Sequence, residues 1–182
     1  MNKTRRLFVG LPLSSQLRKR LGKEMTAFPE EASLLTREEN LHVTLFFLGF
    51  VHEEDVADMC ARVAEVCEGR EAFELEFSGM KLMESDENPK MIWLVGEPSD
   101  ALRELREDIE KAFASFVTEK KSYRPHVTLA KIKKQKWLNL PDKPILKEKL
   151  HILEPVETVA VFESLSIEGK RRYEQIDTFQ LV

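Results

Sequence analysis

A chain of 182 residues has room for one compact unit or for two small lobes sharing a core. With 42% hydrophobic residues it can bury a sizeable core, which excludes the collagen-like, low-complexity and disordered classes. Charged residues make up 33%, yet the net charge of −4 excludes a whole-surface polyanion binder, so an anionic partner must be met by a local site.

Thr4-Arg5-Arg6-Leu7-Phe8 has the look of a twin-arginine export signal. The apolar stretch such a signal needs is interrupted here by Gly10 and Pro12 and is followed by Arg18-Lys19-Arg20. Arg6 to Leu11 therefore reads as a strand ended by Pro12. Leu13, Leu17 and Leu21 recur at fours, with Met25 and Phe28 behind them, and predict a helix over 14–27 that Gly22 weakens. Leu41 to Gly49 is a β-rich run. Val56, Met59, Cys60, Val63 and Cys67 carry helical spacing, and Gly69 supplies the stop.

Phe73 to Phe77 alternates strictly, as a half-buried strand does, and Met91 to Val95 is a further strand. Ser99 is an N-cap for a helical stripe of Leu102, Leu105, Ile109, Phe113 and Phe116. His126 to Lys133 reads as a strand. Pro141, Pro144 and Pro155 mark an irregular stretch with a short helix around 145–151. Val159 to Ile167 and Tyr173 to Leu181 close as strands, turned at Glu168-Gly169. The order predicts an α+β fold with largely antiparallel sheets, one face covered by helices and the other lining something wetter. No linker divides 1–182, which reads as a single domain of two lobes.

Cys60 and Cys67 stand seven apart on one helix face, too far for a disulfide, and read as buried reduced thiols. No apolar run approaches the ~18 residues that span a bilayer, so a soluble cytoplasmic protein is expected.

One tetrapeptide occurs twice. His42-Val43-Thr44-Leu45 returns as His126-Val127-Thr128-Leu129, 84 residues later and again in a predicted strand. A period of two puts His42, Thr44 and Phe46 on one face and Val43, Leu45 and Phe47 on the other. Likewise His126 and Thr128 turn away from Val127 and Leu129. Valine and leucine explain a core face, but packing gives no reason for histidine and threonine on the opposite one. If the halves pack about a pseudo-twofold axis, both His–Thr pairs meet across one cleft.

Such a cleft suits phosphodiester cleavage. Attack at phosphorus takes a proton from the nucleophile and gives one to the leaving oxygen, and two imidazoles can do both near neutral pH. The threonine hydroxyls can donate to nonbridging phosphate oxygens. The scheme requires no metal or cofactor, and neither histidine has a third ligand at recognisable spacing. A single HVTL would instead be read as a structural histidine.

Between Thr118 and Lys136, seven basic residues (Lys120, Lys121, Arg124, Lys131, Lys133, Lys134 and Lys136) face Glu119 alone, leaving −10 on the rest of the chain. This island either focuses a phosphate beside His126 or guards an edge strand with lysines.

These motifs resemble the two-histidine phosphoesterases, and more narrowly the RNA 2′,3′-cyclic phosphodiesterase family, also called 2′-5′ RNA ligases. The resemblance runs from Arg6-Leu7-Phe8 through Asn40 to Gly49, the Pro89 to Leu94 strand with Trp93, Arg124 to Leu129, and the Ser164, Gly169 and Tyr173 region. It implies two similar lobes with antiparallel sheets and outer helices around a central cleft. It also implies hydrolysis of a cyclic phosphate to a 2′-phosphomonoester, with 2′-5′ ligation as the reverse reaction, by a protein expected to act as a monomer.

Residue by residue, the resemblance makes His42 and His126 the catalytic pair, with Thr44 and Thr128 binding phosphate. His42 is assigned as the general acid and His126 as the general base, an order that the near-equivalent halves leave open. The partner is RNA with a 2′,3′-cyclic phosphate end, or a cyclic nucleotide. Phe46 is the candidate for stacking a base, ahead of Phe8. Lys131 stands where the family commonly has arginine, keeping the charge but losing the bidentate fork. Strict alternation turns Lys131 off the histidine face. His52 and His151 match neither motif and are expected to be surface or structural.

Overall fold

The computed structural model describes residues 3–116 and 123–182. Nine strands form one antiparallel sheet: β1 (Thr4–Pro12), β2 (Ser33–Leu35), β3 (His42–His52), β4 (Phe73–Glu84), β5 (Pro89–Gly96), β6 (His126–Ile132), β7 (Ile152–Val156), β8 (Thr158–Ile167) and β9 (Lys170–Gln180). Four helices join them: α1 (Ser15–Met25), α2 (Val56–Cys67), α3 (Asp100–Ala112) and α4 (Lys134–Leu138). The order across the sheet is β7-β4-β5-β6-β3-β1-β8-β9, with β2 added on β6.

That order reads outward in the same way from its centre. β3, β1, β8 and β9 make one half, and β6, β5, β4 and β7 make the other. The halves meet at a single antiparallel pairing, Val43 opposite Val127. Because identical tetrapeptides run in opposite directions through that pair, the local pseudo-twofold axis passes between the two valines. The two lobes are thus halves of one continuous sheet.

The predicted helices begin where their caps lie. The Ser14 hydroxyl accepts the Leu17 N–H at 3.1 Å, and the Ser99 hydroxyl accepts the Leu102 N–H at 3.2 Å. Helical residues such as Leu17, Leu21, Met59, Val63, Leu102 and Leu105 pack on one face of the sheet with Leu7, Val9, Val43 and Val127. On the other face a separate small cluster holds Phe8, Ala160 and Phe162, with Tyr173 against it and no helical residue among its members. This helix-free face carries the site. The turn at Glu168-Gly169 has both residues at positive φ, 50° and 74°, as a tight hairpin requires.

Three expectations are corrected. Residues 145–151 are not helical, because their backbone is committed to β4. The Met80 N–H donates to the Lys147 carbonyl at 2.7 Å and the Leu150 N–H to the Ser78 carbonyl at 2.7 Å. Gly79 permits this approach, since a Cβ there would sit 2.1 Å from the Glu148 carbonyl oxygen. The short helix is α4 instead. Secondly, Pro155 does not interrupt structure but lies within β7, an edge strand that needs no N–H on its open side. Thirdly, β6 is central, so Lys131, the one lysine within it, does not guard a sheet edge. Lys120 and Lys121 of the basic island lie outside the described residues.

Cys67 is buried and Cys60 partly buried, both as free thiols. Arg5 and Arg6 lie within β1, an interior strand of the sheet. Among the described residues no helix is long and apolar enough to cross a membrane.

Candidate active site

The Val43–Val127 pairing fixes the frame of the site. In antiparallel register, one residue on either side brings His42 opposite Thr128 and Thr44 opposite His126. Directly opposed residues have Cβ atoms roughly 5 Å apart and diagonal ones roughly 7–8 Å, so the two imidazoles take the diagonal of a small square. A phosphate group fits across such a diagonal. The four side chains are half-buried, while Val43, Leu45, Val127 and Leu129 between them are buried in the core.

Each ring is oriented by the carbonyl two residues before it. His42 Nδ1–H donates to the Asn40 carbonyl oxygen at 2.7 Å, and His126 Nδ1–H to the Arg124 carbonyl oxygen at 2.8 Å. A carbonyl only accepts, so in both neutral rings Nε2 carries the lone pair and faces the site. His42 Nε2 accepts the Thr44 hydroxyl at 3.0 Å. His126 Nε2 has no protein partner among the described residues.

The surroundings then diverge. His42 packs against Phe8 at 4.8 Å, Tyr173 at 4.9 Å and Phe162 at 5.5 Å between ring centroids. Gly10 makes room, since a Cβ there would lie 2.7 Å from the Val43 carbonyl and 3.6 Å from the His42 ring. Burial pushes the His42 imidazole down to about 4, against a smaller upward pull from the Asn40 carbonyl and with a further downward push from the His126 charge. His126 lies flat on Trp93, 3.5 Å between centroids and 13° between planes, and burial lowers it too.

Asn40 ties the first half-site to the end of the sheet. Its buried side-chain amide donates to the Arg171 carbonyl at 2.9 Å and accepts the Tyr173 N–H at 3.0 Å, while its own carbonyl holds His42.

β-bulges decide the remaining residues. Val9 pairs with Phe46 but Gly10 with Thr44, so β3 carries an extra residue there. Phe46 therefore turns into the helix-side core, 5.9 Å from Phe113, and is not on the histidine face as expected. Phe47 takes that face instead, 66% exposed and 6.0 Å from Phe8. Along β6, Thr128 pairs with Trp93 but Ala130 with Ile92, and this second bulge returns the exposed Lys131 to the face of His126 and Thr128. Phe47 and Lys131 thus occupy equivalent places, each five residues after its histidine.

Phe8 is 3% exposed, stacked on Phe162 at 4.9 Å, and packs the His42 ring. His52 and His151 are exposed, the latter paired with Glu76 at 2.8 Å. The sequence does show where the bulges fall: Leu45-Phe46 and Leu129-Ala130 double an apolar position directly after each HVT, which strict alternation forbids. The stacking of Trp93 and the clamp at Asn40 leave no comparable trace.

A family model described as the 2′-5′ RNA ligase superfamily matches residues 15–163. The chain belongs to that superfamily. Similar curated proteins named RNA 2′,3′-cyclic phosphodiesterase come from Aeropyrum pernix, 36% identical over 57% of this chain, and Geobacillus stearothermophilus, 28% identical over 96%. This chain spans 58% and 57% of their respective lengths. The crystal structure of TT0787 from Thermus thermophilus superposes with a TM-score of 0.81 at 24% identity, covering 97% of each chain.

E. coli LigT complexed with 3′-AMP superposes with a TM-score of 0.78 at 19% identity, covering 98% of this chain and 99% of that one. These two likenesses speak for the fold, an α+β sheet curled between two similar halves. Within the residues that the 2′-5′ RNA ligase superfamily model matches lie both HxT motifs, His42–Thr44 and His126–Thr128, and Lys131.

Proposed function

We propose that this chain hydrolyses ribose 2′,3′-cyclic phosphates, at RNA ends or in nucleotides, to 2′-phosphomonoesters. The observation that carries the reading is the pairing of two HVTL copies through Val43 and Val127, which turns two lone-pair nitrogens and two hydroxyls toward one space. His126 Nε2 takes a proton from water as the oxygen attacks phosphorus. The bond to O3′ breaks, and His42, protonated at Nε2, gives O3′ its proton. The Thr44 and Thr128 hydroxyls and the Lys131 ammonium meet the nonbridging oxygens, where charge grows. Phe47, rather than Phe46, offers a ring to the terminal base. No step needs a metal, and the protein is read as a cytoplasmic monomer acting on RNA. In water at ~55 M, hydrolysis outruns the reverse 2′-5′ ligation.

A second reading exchanges the acid and base, and one observation favours it: in the free site His42 is pushed down to about 4 and is neutral. A bound phosphate anion raises both rings, so the free-site order does not fix the roles. A cyclic nucleotide with sulfur at the 3′ bridging position separates them, because a thiolate leaves without a proton. On that substrate only the variant lacking the acid regains turnover.

The reading itself is tested by incubating the protein with 2′,3′-cyclic AMP in chelator and following phosphorus NMR. A 2′-phosphate resonance is expected. Binding without product would make the protein a nucleotide or RNA-end binder instead, and a 3′-phosphate would overturn the assigned bond.

A further inference from the structure

β1 and β3 continue past the site with their helix-free face uncovered. Phe8 pairs with Phe47, and past a further register shift that adds Leu48 to β3, Arg6 pairs with Phe50 and Thr4 with His52. Arg6 and Phe8 share a face, because Arg5 and Leu7 between them turn to the helix side. There Arg5 pairs with Glu163 at 2.5 Å and Leu7 is 1% exposed in the core. Phe50 is 74% exposed beside an exposed Arg6, and His52 at the next row is exposed as well. Two residues advance a strand by about 7 Å, so Phe47 and Phe50 stand one step apart along a line leading from the catalytic square.

A large aromatic ring three-quarters in water, opposite a guanidinium and two rows from a phosphate site, has the composition of a single-strand stacking platform. Among the described residues the other half offers no such line. Its corresponding row is Leu34, Lys131, Met91 and Met83, joined by strand pairing and without an aromatic ring.

We infer that Phe50 and Arg6 form a subsite for the nucleotide on the 5′ side of the cyclic end, so that the substrate class is single-stranded RNA rather than free cyclic nucleotide. The inference rests on the proposed phosphodiesterase reading. Phe47 meets the terminal base, Phe50 stacks the next one, and Arg6 meets the phosphate between them.

The test compares a 2′,3′-cyclic mononucleotide with a trinucleotide ending in the same cyclic phosphate. Wild type is expected to favour the trinucleotide by about tenfold or more in kcat/KM, as one added stacking contact provides. Phe50→Ala should remove that advantage and leave the mononucleotide unchanged, while Phe50→Trp keeps it. Arg6→Gln should flatten the salt dependence for the trinucleotide alone, by roughly 0.7 in log–log slope.

Equal turnover of both substrates by wild type, or equal slowing of both in Phe50→Ala, overturns the subsite. A wild type that is dimeric and a Phe50→Ala variant that is monomeric in sedimentation would also overturn it, making Phe50 a self-contact. If wild type hydrolyses neither substrate, the phosphodiesterase reading is what fails. Anisotropy with a labelled trinucleotide 2′-phosphate then still decides the subsite, by whether Phe50→Ala weakens binding about tenfold.

Discussion

The His42 and His126 half-sites share four residues, a backbone carbonyl that fixes the ring, and a bulge directly after the threonine. They differ in what surrounds the ring. His42 sits among Phe8, Phe162 and Tyr173 with its outward nitrogen bonded to Thr44, whereas His126 lies on the single face of Trp93 with that nitrogen unbonded by protein among the described residues. Duplicated sequence thus specifies where two imidazoles stand. Neighbours drawn from unrepeated strands give each its own affinity for a proton.

The largest expected effect tests what the halves share. His42→Ala and His126→Ala should each lower kcat/KM by about 10²–10⁴ while thermal melts stay near wild type, since each removes one proton transfer. Full turnover in either variant breaks the equivalence at its root.

Next, Thr44→Val and Thr128→Val should each cost roughly 10²-fold in kcat, the scale of losing one donor to a charged oxygen. The same pair sharpens the contrast. Thr44→Val removes a donor to neutral His42 and should raise its titration midpoint by NMR, while Thr128→Val should leave that of His126 in place.

Packing offers a third probe. Gly10→Ala drives a Cβ to 2.7 Å from the Val43 carbonyl and should cost about 1–3 kcal/mol in denaturant unfolding. On the other half, Gly96→Ala meets the Pro125 ring at 3.2 Å and should cost less.

The smallest effect is in pH dependence. Proton NMR should find His42 titrating near 4 and His126 below its ordinary 6.5. Because the unfolded chain binds the His42 proton near 6.5 and the folded one only near 4, stability should fall as pH drops between those values. The fall should shrink in His42→Asn.

The repeat, its spacing and the order of elements were open to reading along the chain, because alternation and helical stripes report one-dimensional burial. Phe46 and Lys131 lie on the faces opposite to those strict alternation assigns for a single reason: a bulge follows each HVT, and the doubled apolar residues Leu45-Phe46 and Leu129-Ala130 mark it. The coil at 145–151 was unreadable because it is held by backbone bonds to β4, which no side chain announces. Asn40 gripping β9 and Trp93 beneath His126 are contacts across distant segments, and periodicity carries no information about those.

The ring of aromatics around His42 is assembled from strands far apart in sequence, Phe8 and Gly10 on β1 and Phe162 and Tyr173 more than 150 residues on. The pocket of the first imidazole is therefore closed only by a long-range pairing, β8 on β1 with β9 on β8. A chain without the β8–β9 hairpin would hold both histidines yet lack Phe162 and Tyr173 against the His42 ring.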